Sequence, residues 1–187
     1  ASFVFGDKAR QLPGRPNDLI GMITFARYPD TICPLTLGHA ALKPFLEGIQ
    51  MVYLRSEDGT NIGDALALAA ARLQTAEETL ARQTRKEAGA YKIKSKIIIL
   101  LTDGENNCGK RGIAEAAELA NQWGIKVYAI GVSGGAGANV ISTLLGQFRV
   151  AANSAPFDTR PLQELADKTG GLFRMASDSE SLLSIYR

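Results

Sequence analysis

The length and composition of the chain fit one globular domain. It has 187 residues, of which 45% are hydrophobic and 21% are charged, with a formal net charge of +2. These values allow a full hydrophobic core and do not indicate a nucleic-acid-binding surface. No apolar run approaches the ~20 residues of a membrane-spanning helix. Cys33 and Cys108 have no metal-binding spacing, and we predict two free thiols, with a disulfide as the alternative.

Apolar runs mark the strands in chain order. The segment 18–26 (DLIGMITFA) predicts a buried strand, and 31–37 (TICPLTL) predicts a second one. Pro34 cannot donate a ladder hydrogen bond, so we expect the second strand to be antiparallel at a sheet edge. The segments 95–102 and 126–132 are apolar on both faces, as is typical of central parallel strands. We expect 18–26 to be parallel and central as well.

Helical patterns separate these strands. Apolar residues recur at helical spacing after Asn61 and again from Ile113 to Trp123, where Gly124 ends the helix. A short helix is predicted over 141–148, and a last one begins near Ser177 or Asp178. The alternation predicts a doubly wound α/β sheet, mostly parallel with one antiparallel edge strand. Such sheets bind ligands at the carboxyl ends of their strands.

An enzyme is one interpretation of this fold class. GVSGG (131–135) matches the G-x-S-x-G pattern, which would make Ser133 the nucleophile of an α/β hydrolase. That arrangement needs a histidine after the serine, whereas the single histidine, His39, precedes it. The phosphate-binding glycine motifs are not present in the sequence. The hydrolase therefore remains only an alternative.

A divalent-metal site is a second interpretation. The strand 95–102 ends in Thr102, Asp103 and Gly104, and the loop DGTN (58–61) opens onto a helix. If both lie on one rim of the sheet, the Thr60 hydroxyl and the Asp103 carboxylate could converge as the oxygen ligands that magnesium prefers. A structural role is the alternative. Thr60 or Asn61 could be a helix N-cap, and Asp103 could begin a turn.

Five segments together resemble a von Willebrand factor A domain, and among these domains the bacterial aerotolerance (Bat-type) membrane proteins. They are SKIIILLTDGENN, GIKVYAIGV, DGTNIGDAL, DLIGMITFA and PLTLGHAAL. The resemblance implies a Rossmann-like sheet carrying a metal-ion-dependent adhesion site, with Thr60 and Asp103 as metal ligands and Asn61, Glu105 and Asn106 around the ligand rim. It implies Mg²⁺ or another divalent cation, an acidic residue from a protein partner, and no catalysis. It also implies a parent protein tethered to the membrane in the bacterial cell envelope.

One motif of that family does not occur in the chain. The family's first strand ends in D-x-S-x-S, which supplies most of the direct metal ligands, and this pattern is not found in the 187 residues. We therefore expect residues 1–187 to be a single domain that is incomplete at its N-terminus, with the first strand and its metal loop upstream of Ala1. Metal binding by this chain is then expected to be weak. A structural scaffold without a metal is the remaining alternative.

Overall fold

The computed structural model describes residues 4, 14–50, 54, 56–84, 93–132, 141–143, 146–148 and 158–176. The strands are β1 (Ile20–Phe25), β2 (Pro29–Thr36), β3 (Lys96–Thr102), β4 (Ile125–Val132), β5 (Ile141–Thr143), β6 (Gly146–Phe148) and β7 (Phe173–Ala176). The helices are α1 (Leu42–Glu47), preceded by a 3₁₀ turn at His39–Ala41, then α2 (Ile62–Thr84), α3 (Ile113–Gln122) and α4 (Arg160–Thr169).

A parallel sheet of three strands, in the order β3-β4-β7, carries the core. Lys96 pairs with Ile125 at the start of β3, and Thr102 pairs with Gly131 at its end. Ile98 and Leu100 are buried on one face of β3, and β4 is buried along most of its length. The predicted parallel direction of 95–102 and 126–132 is therefore confirmed, and the chain has the α/β class expected from its pattern. The prediction that 95–102 is central and covered on both faces is wrong for the described residues, because β3 has one strand neighbour there and exposes Ile97 and Ile99 on its other face.

The strand pair β1 and β2 forms an antiparallel two-stranded sheet. This confirms that the segment containing Pro34 is antiparallel. The prediction that 18–26 is a central parallel strand is wrong for the described residues, because β1 is hydrogen-bonded there only to β2. The connection is a tight turn in which Ala26 N donates to Tyr28 O at 3.4 Å, and so short a connection can join only antiparallel strands.

The predicted helix over 141–148 is also wrong. The backbone there forms β5 and β6, an antiparallel pair in which Ile141 lies opposite Phe148. Ile141 and Thr143 are β-branched, and such residues favour extended backbone over helix. The predicted C-terminal helix lies outside the described residues.

Three helices pack against one another and bury one face of the β3-β4-β7 sheet. Their inward positions carry large aliphatic residues alternating with alanine, so the helices approach closely: Ile62, Leu66, Ala70, Ile113, Ala116, Ala117, Ala120, Leu162 and Leu165. At the amino end of β3, the buried Lys96 ammonium donates to Gln74 and Glu77 of α2. This ion pair fixes α2 to the sheet at the end opposite the carboxyl termini of the strands.

The open strand edges predict self-association. Within the described part of the chain, β1 and β3 each have one strand neighbour and one unpaired edge, and unpaired edges recruit other strands. We expect size-exclusion chromatography with light scattering to show association that grows with protein concentration. In dilute solution the β3 amides on the open edge should exchange hydrogen rapidly and become protected on concentration. Amides of β4, which lies between two strands, serve as the control. A monomer with every β3 amide protected would contradict this prediction.

Candidate functional site

Three loops meet at the carboxyl ends of β1 and β3. The loop after β1 contacts the loop before α2 through two backbone hydrogen bonds, Asn61 N to Ala26 O at 2.8 Å and Arg27 N to Glu57 O at 3.1 Å. The loop after β3 contacts the same segment, because Asn107 N donates to Thr60 O at 3.0 Å. We call this surface the rim and define it as residues 26–28, 57–60 and 103–111.

Asn61 lies beneath the rim. It is only 2% exposed, and its Oδ1 accepts from Asp64 N at 3.1 Å, which makes it the N-cap of α2. Its Nδ2 donates to Arg27 O and to Asp64 Oδ2, each at 3.0 Å. The structural alternative is therefore confirmed for Asn61. Its assignment to the ligand rim is corrected, because a buried amide with all these partners cannot reach a ligand.

Asp64 joins the start of α2 to the loop after β3. Its carboxylate accepts from Lys110 N at 2.9 Å and from Arg111 N at 3.1 Å, and it lies 3.6 Å from the Arg111 guanidinium. The pKa of Asp64 is lowered, chiefly by the hydrogen bond from Lys110 N and further by those from the Asn61 amide and Arg111 N. Together these hydrogen bonds outweigh burial, which acts in the opposite direction. From the sequence, Asp64 resembles only the acidic residue of a capping box that begins at Asn61, and an acid near a helix start gives no signal of a partner 46 residues away.

Two glycines allow these loops to come so close. A Cβ at Gly63 would lie 2.0 Å from Arg111 O, so no larger residue fits where α2 crosses the loop after β3. Gly109 has a φ of +104°, and a Cβ there would lie 2.1 Å from Asn61 Oδ1. The helical spacing of apolar residues after Asn61 gives no sign of this contact, although a glycine inside a helix is costly and can indicate a packing constraint.

The structure places Thr60 and Asp103 on the same rim. Gly104 follows Asp103, and a Cβ built on this glycine would lie 3.3 Å from Thr60 Oγ1. Thr60 N donates to Asn107 Oδ1 at 2.8 Å, which fixes the threonine backbone. Asp103 is exposed, and no residue in the described ranges forms a hydrogen bond or ion pair with its carboxylate. Thr102 Oγ1 accepts from Gly104 N at 3.3 Å, so the turn at the end of β3 is held without Asp103.

The other two predicted rim residues hold neighbouring elements. Asn106 Oδ1 accepts from Gly63 N at 3.0 Å, so this side chain contacts the start of α2. Glu105 Oε1 accepts from Asp158 N at 2.7 Å and ties the rim to the segment before α4. Glu105 is exposed and Asn106 is half-buried. No residue in the described ranges forms a hydrogen bond with the second carboxylate oxygen of Glu105.

The donors at the rim fit a hard divalent cation in type. The hydroxyl of Thr60 and the carboxylate of Asp103 are oxygen ligands, which magnesium prefers, and magnesium retains several waters. Their number is small, and among the described residues no group of three or more His, Cys, Asp or Glu side chains could hold a metal ion. Thr60 and Asp103 are therefore two oxygen donors, fewer than a complete coordination shell of magnesium requires.

Two remaining predictions concern single side chains. Both cysteines are free thiols, with Cys33 buried in β2 and Cys108 half-buried in the loop after β3. Burial raises the pKa of the Cys33 thiol. Ser133, the nucleophile of the hydrolase alternative, lies outside the described residues.

The sequence profile of the von Willebrand factor type A domain matches residues 6–187. The chain belongs to the von Willebrand factor type A domain family. Domains of this family are generally protein-interaction modules. Among curated proteins, an uncharacterized protein of Borreliella burgdorferi is 27% identical over 168 residues, which are 89% of this chain and 44% of the relative. The chain thus spans less than half of that relative's length.

Two solved structures support the Bat-type resemblance. BatB from Bacteroides thetaiotaomicron, a conserved hypothetical protein, is 29% identical with a TM-score of 0.57, and the match covers 100% of this chain and 88% of that one. An aerotolerance-related membrane protein from Bacteroides fragilis is 27% identical with a TM-score of 0.59, covering 92% and 79%. Within the described ranges of this chain, no helix is long and apolar enough to cross a membrane.

Replacing Asp64 tests the network beneath the rim. We expect Asp64→Asn to lower the free energy of unfolding by about 1–3 kcal/mol at neutral pH, because N–H donors of the loop after β3 lose a charged acceptor. The folded pKa of Asp64 is lowered from 3.8, so its contribution is complete above the unfolded-state pKa and is lost as the pH falls through the folded value. The difference between the two proteins should therefore shrink below about pH 4 in chemical denaturation. Glu115→Gln, which removes an exposed partner of Arg111, is the control and should change stability by less than about 0.5 kcal/mol.

Replacing Gly63 tests the close approach of α2. We expect Gly63→Ala to destabilise the fold by about 1–3 kcal/mol, because its Cβ would overlap the carbonyl of Arg111. Gly48→Ala is the matched control, since a Cβ there meets Pro44 O at an ordinary 3.4 Å, and it should stay within about 0.5 kcal/mol. Thermal melts of both variants measure the difference. Equal melting temperatures for Gly63→Ala and Gly48→Ala would show that α2 and the loop after β3 can move apart at little cost.

Proposed function

We propose that this domain binds a protein partner through a divalent cation held at the rim by Thr60 Oγ1 and the Asp103 carboxylate. The supporting observation is the contrast among the polar groups there. Asn61, Asn106 and Asp64 are occupied by hydrogen bonds within the protein. Asp103 is exposed, and its carboxylate has no partner among the described residues.

The charge balance of the proposed site favours a carboxylate from the partner. A bound divalent cation would supply a concentrated positive charge at the surface, and one carboxylate with one neutral hydroxyl leaves it underneutralised. An acidic side chain of the partner would complete both the charge and the coordination shell. Ligands beyond the described residues would add affinity for the metal, so the chain alone should bind it weakly.

Magnesium is the cation we propose, because both donors are hard oxygens and part of the shell is left to water. The proposed role is adhesion or assembly without chemical turnover, as is typical of the family. We further propose that the parent protein acts at a bacterial membrane, in the cell envelope. This rests on the likeness to an aerotolerance-related membrane protein of Bacteroides fragilis.

Metal titration tests the proposed function. Mn²⁺, a paramagnetic substitute, should broaden the amide NMR signals of Thr60, Asp103 and Gly104, and Mg²⁺ should compete with it in the millimolar range. Asp103→Ala should abolish the broadening because it removes the charged ligand. Asp167→Ala, which removes an exposed carboxylate near the far end of α4, is the control and should leave the broadening unchanged.

One result would contradict the proposed site, and another would contradict only the expected weak affinity for the metal. Broadening that survives Asp103→Ala would show that the cation binds elsewhere on the domain. Tight binding of Mg²⁺ by the chain in calorimetry, lost in Asp103→Ala, would show that the described ligands suffice and that the expected shortage of ligands is wrong.

A further inference from the structure

A small pocket adjoins the proposed cation site. It lies between the loop after β3 and the starts of α2, α3 and α4, and its volume is about 130 Å³. Ile62, Ile113 and Leu162 line it and are at most 9% exposed, so they form its base. Gly104 also lines the pocket, and the same glycine contacts the Thr60 side chain. A partner residue bound at Asp103 would therefore bring its neighbours to the pocket.

The mouth of the pocket is acidic. Glu105 and Asp158 both line it, and both are exposed. The Arg160 guanidinium is paired with Asp158 at 2.7 Å and, chiefly through that hydrogen bond, lowers the pKa of Asp158 to about 2. Within the described ranges Glu105 accepts only the Asp158 N–H and pairs with no basic side chain. Glu105 is therefore the carboxylate at the mouth whose charge no described residue balances.

We infer that this pocket receives a lysine side chain of the partner, next to the acidic residue that meets the cation. The aliphatic stem would pack on the exposed Pro161 ring and on the accessible edge of Ile113, above the fully buried Ile62 and Leu162, while the ammonium remains at the wet mouth beside Glu105. The volume equals about four water molecules at ~30 Å³ each, which suits one unbranched side chain. This inference rests on the proposed function, because the cation brings the partner segment to the rim.

Charge and geometry exclude other occupants. An acidic side chain would be repelled by Glu105. A purely apolar side chain would cover the Glu105 carboxylate without donating a hydrogen bond to it. One oxygen of Glu105 is already bound by Asp158 N, so the paired donors of an arginine would find only one acceptor. A lysine ammonium is a point charge that needs no paired acceptors.

Glycine peptides with one glutamate provide the test. Each peptide also carries either lysine or norleucine, and norleucine keeps the aliphatic stem of lysine but lacks its charge. This residue is either adjacent to the glutamate or separated from it by one glycine. NMR titration with saturating Mg²⁺ would follow the methyl groups of Ile62 and Ile113 for the pocket and the amides of Thr60 and Asp103 for the cation site. The key variant is Glu105→Gln, whose amide oxygen still accepts from Asp158 N. Its thermal melt should match that of the unaltered protein.

We expect the best lysine peptide to bind about three- to fivefold more tightly than its norleucine counterpart. This preference should disappear in Glu105→Gln. Mg²⁺-dependent binding without a preference for lysine would overturn the inference and leave the proposed function intact. A lysine preference at the methyl groups that needs Glu105 but neither Mg²⁺ nor Asp103 would support the pocket and reject the proposed function. If no peptide shifts the methyl signals, the inference is wrong.

Discussion

The hydrogen bonds to the Asp64 carboxylate are the interaction on which the rim depends. The first turn of a helix and a loop that crosses it both present N–H groups with no partner of their own. Asp64 accepts the N–H groups of Lys110 and Arg111 and the side-chain amide of Asn61. The start of α2 and the loop after β3 therefore form one unit. Thr60 precedes that helix and Asp103 begins that loop, so this unit also sets the distance between the two proposed ligands.

The polar residues in the rim and beneath it divide into two groups by burial. Asn61 and Asn106 have their amide groups bonded to backbone or to Asp64, which makes them part of the scaffold. Asp103 and Glu105 are exposed, and no described residue bonds the Asp103 carboxylate or the second oxygen of Glu105. A polar group without a partner is inexpensive on the surface and costly in the interior. The exposed pair can therefore be reserved for binding without weakening the fold.

The lower part of the domain keeps this rim rigid. Alanines at the helix contacts let α2, α3 and α4 pack closely on the β3-β4-β7 sheet, and dense packing leaves little freedom for the loops above it. Lys96 and Glu77 fix α2 at the other end of β3. The helix α2 is thus held both at the start of β3, through Lys96, and at the end of β3, through the loop that follows it. The binding that we propose at the rim requires this rigidity, because the positions of the ligands must stay fixed.

The sequence by itself determined the α/β class, the parallel direction of 95–102 and 126–132, the antiparallel strand containing Pro34 and a helix N-cap at Thr60 or Asn61. Each depends on local pattern: two apolar faces, a missing N–H, or an amide at a helix start. Only the tertiary structure decided that β1 pairs with β2 in the described residues, that 141–148 is extended, and that Asn61 lies under the rim. It also revealed the contacts of Asp64 and Gly63 with residues 110 and 111. Contacts between segments far apart in sequence depend on how helices and strands pack, and no local pattern records that packing.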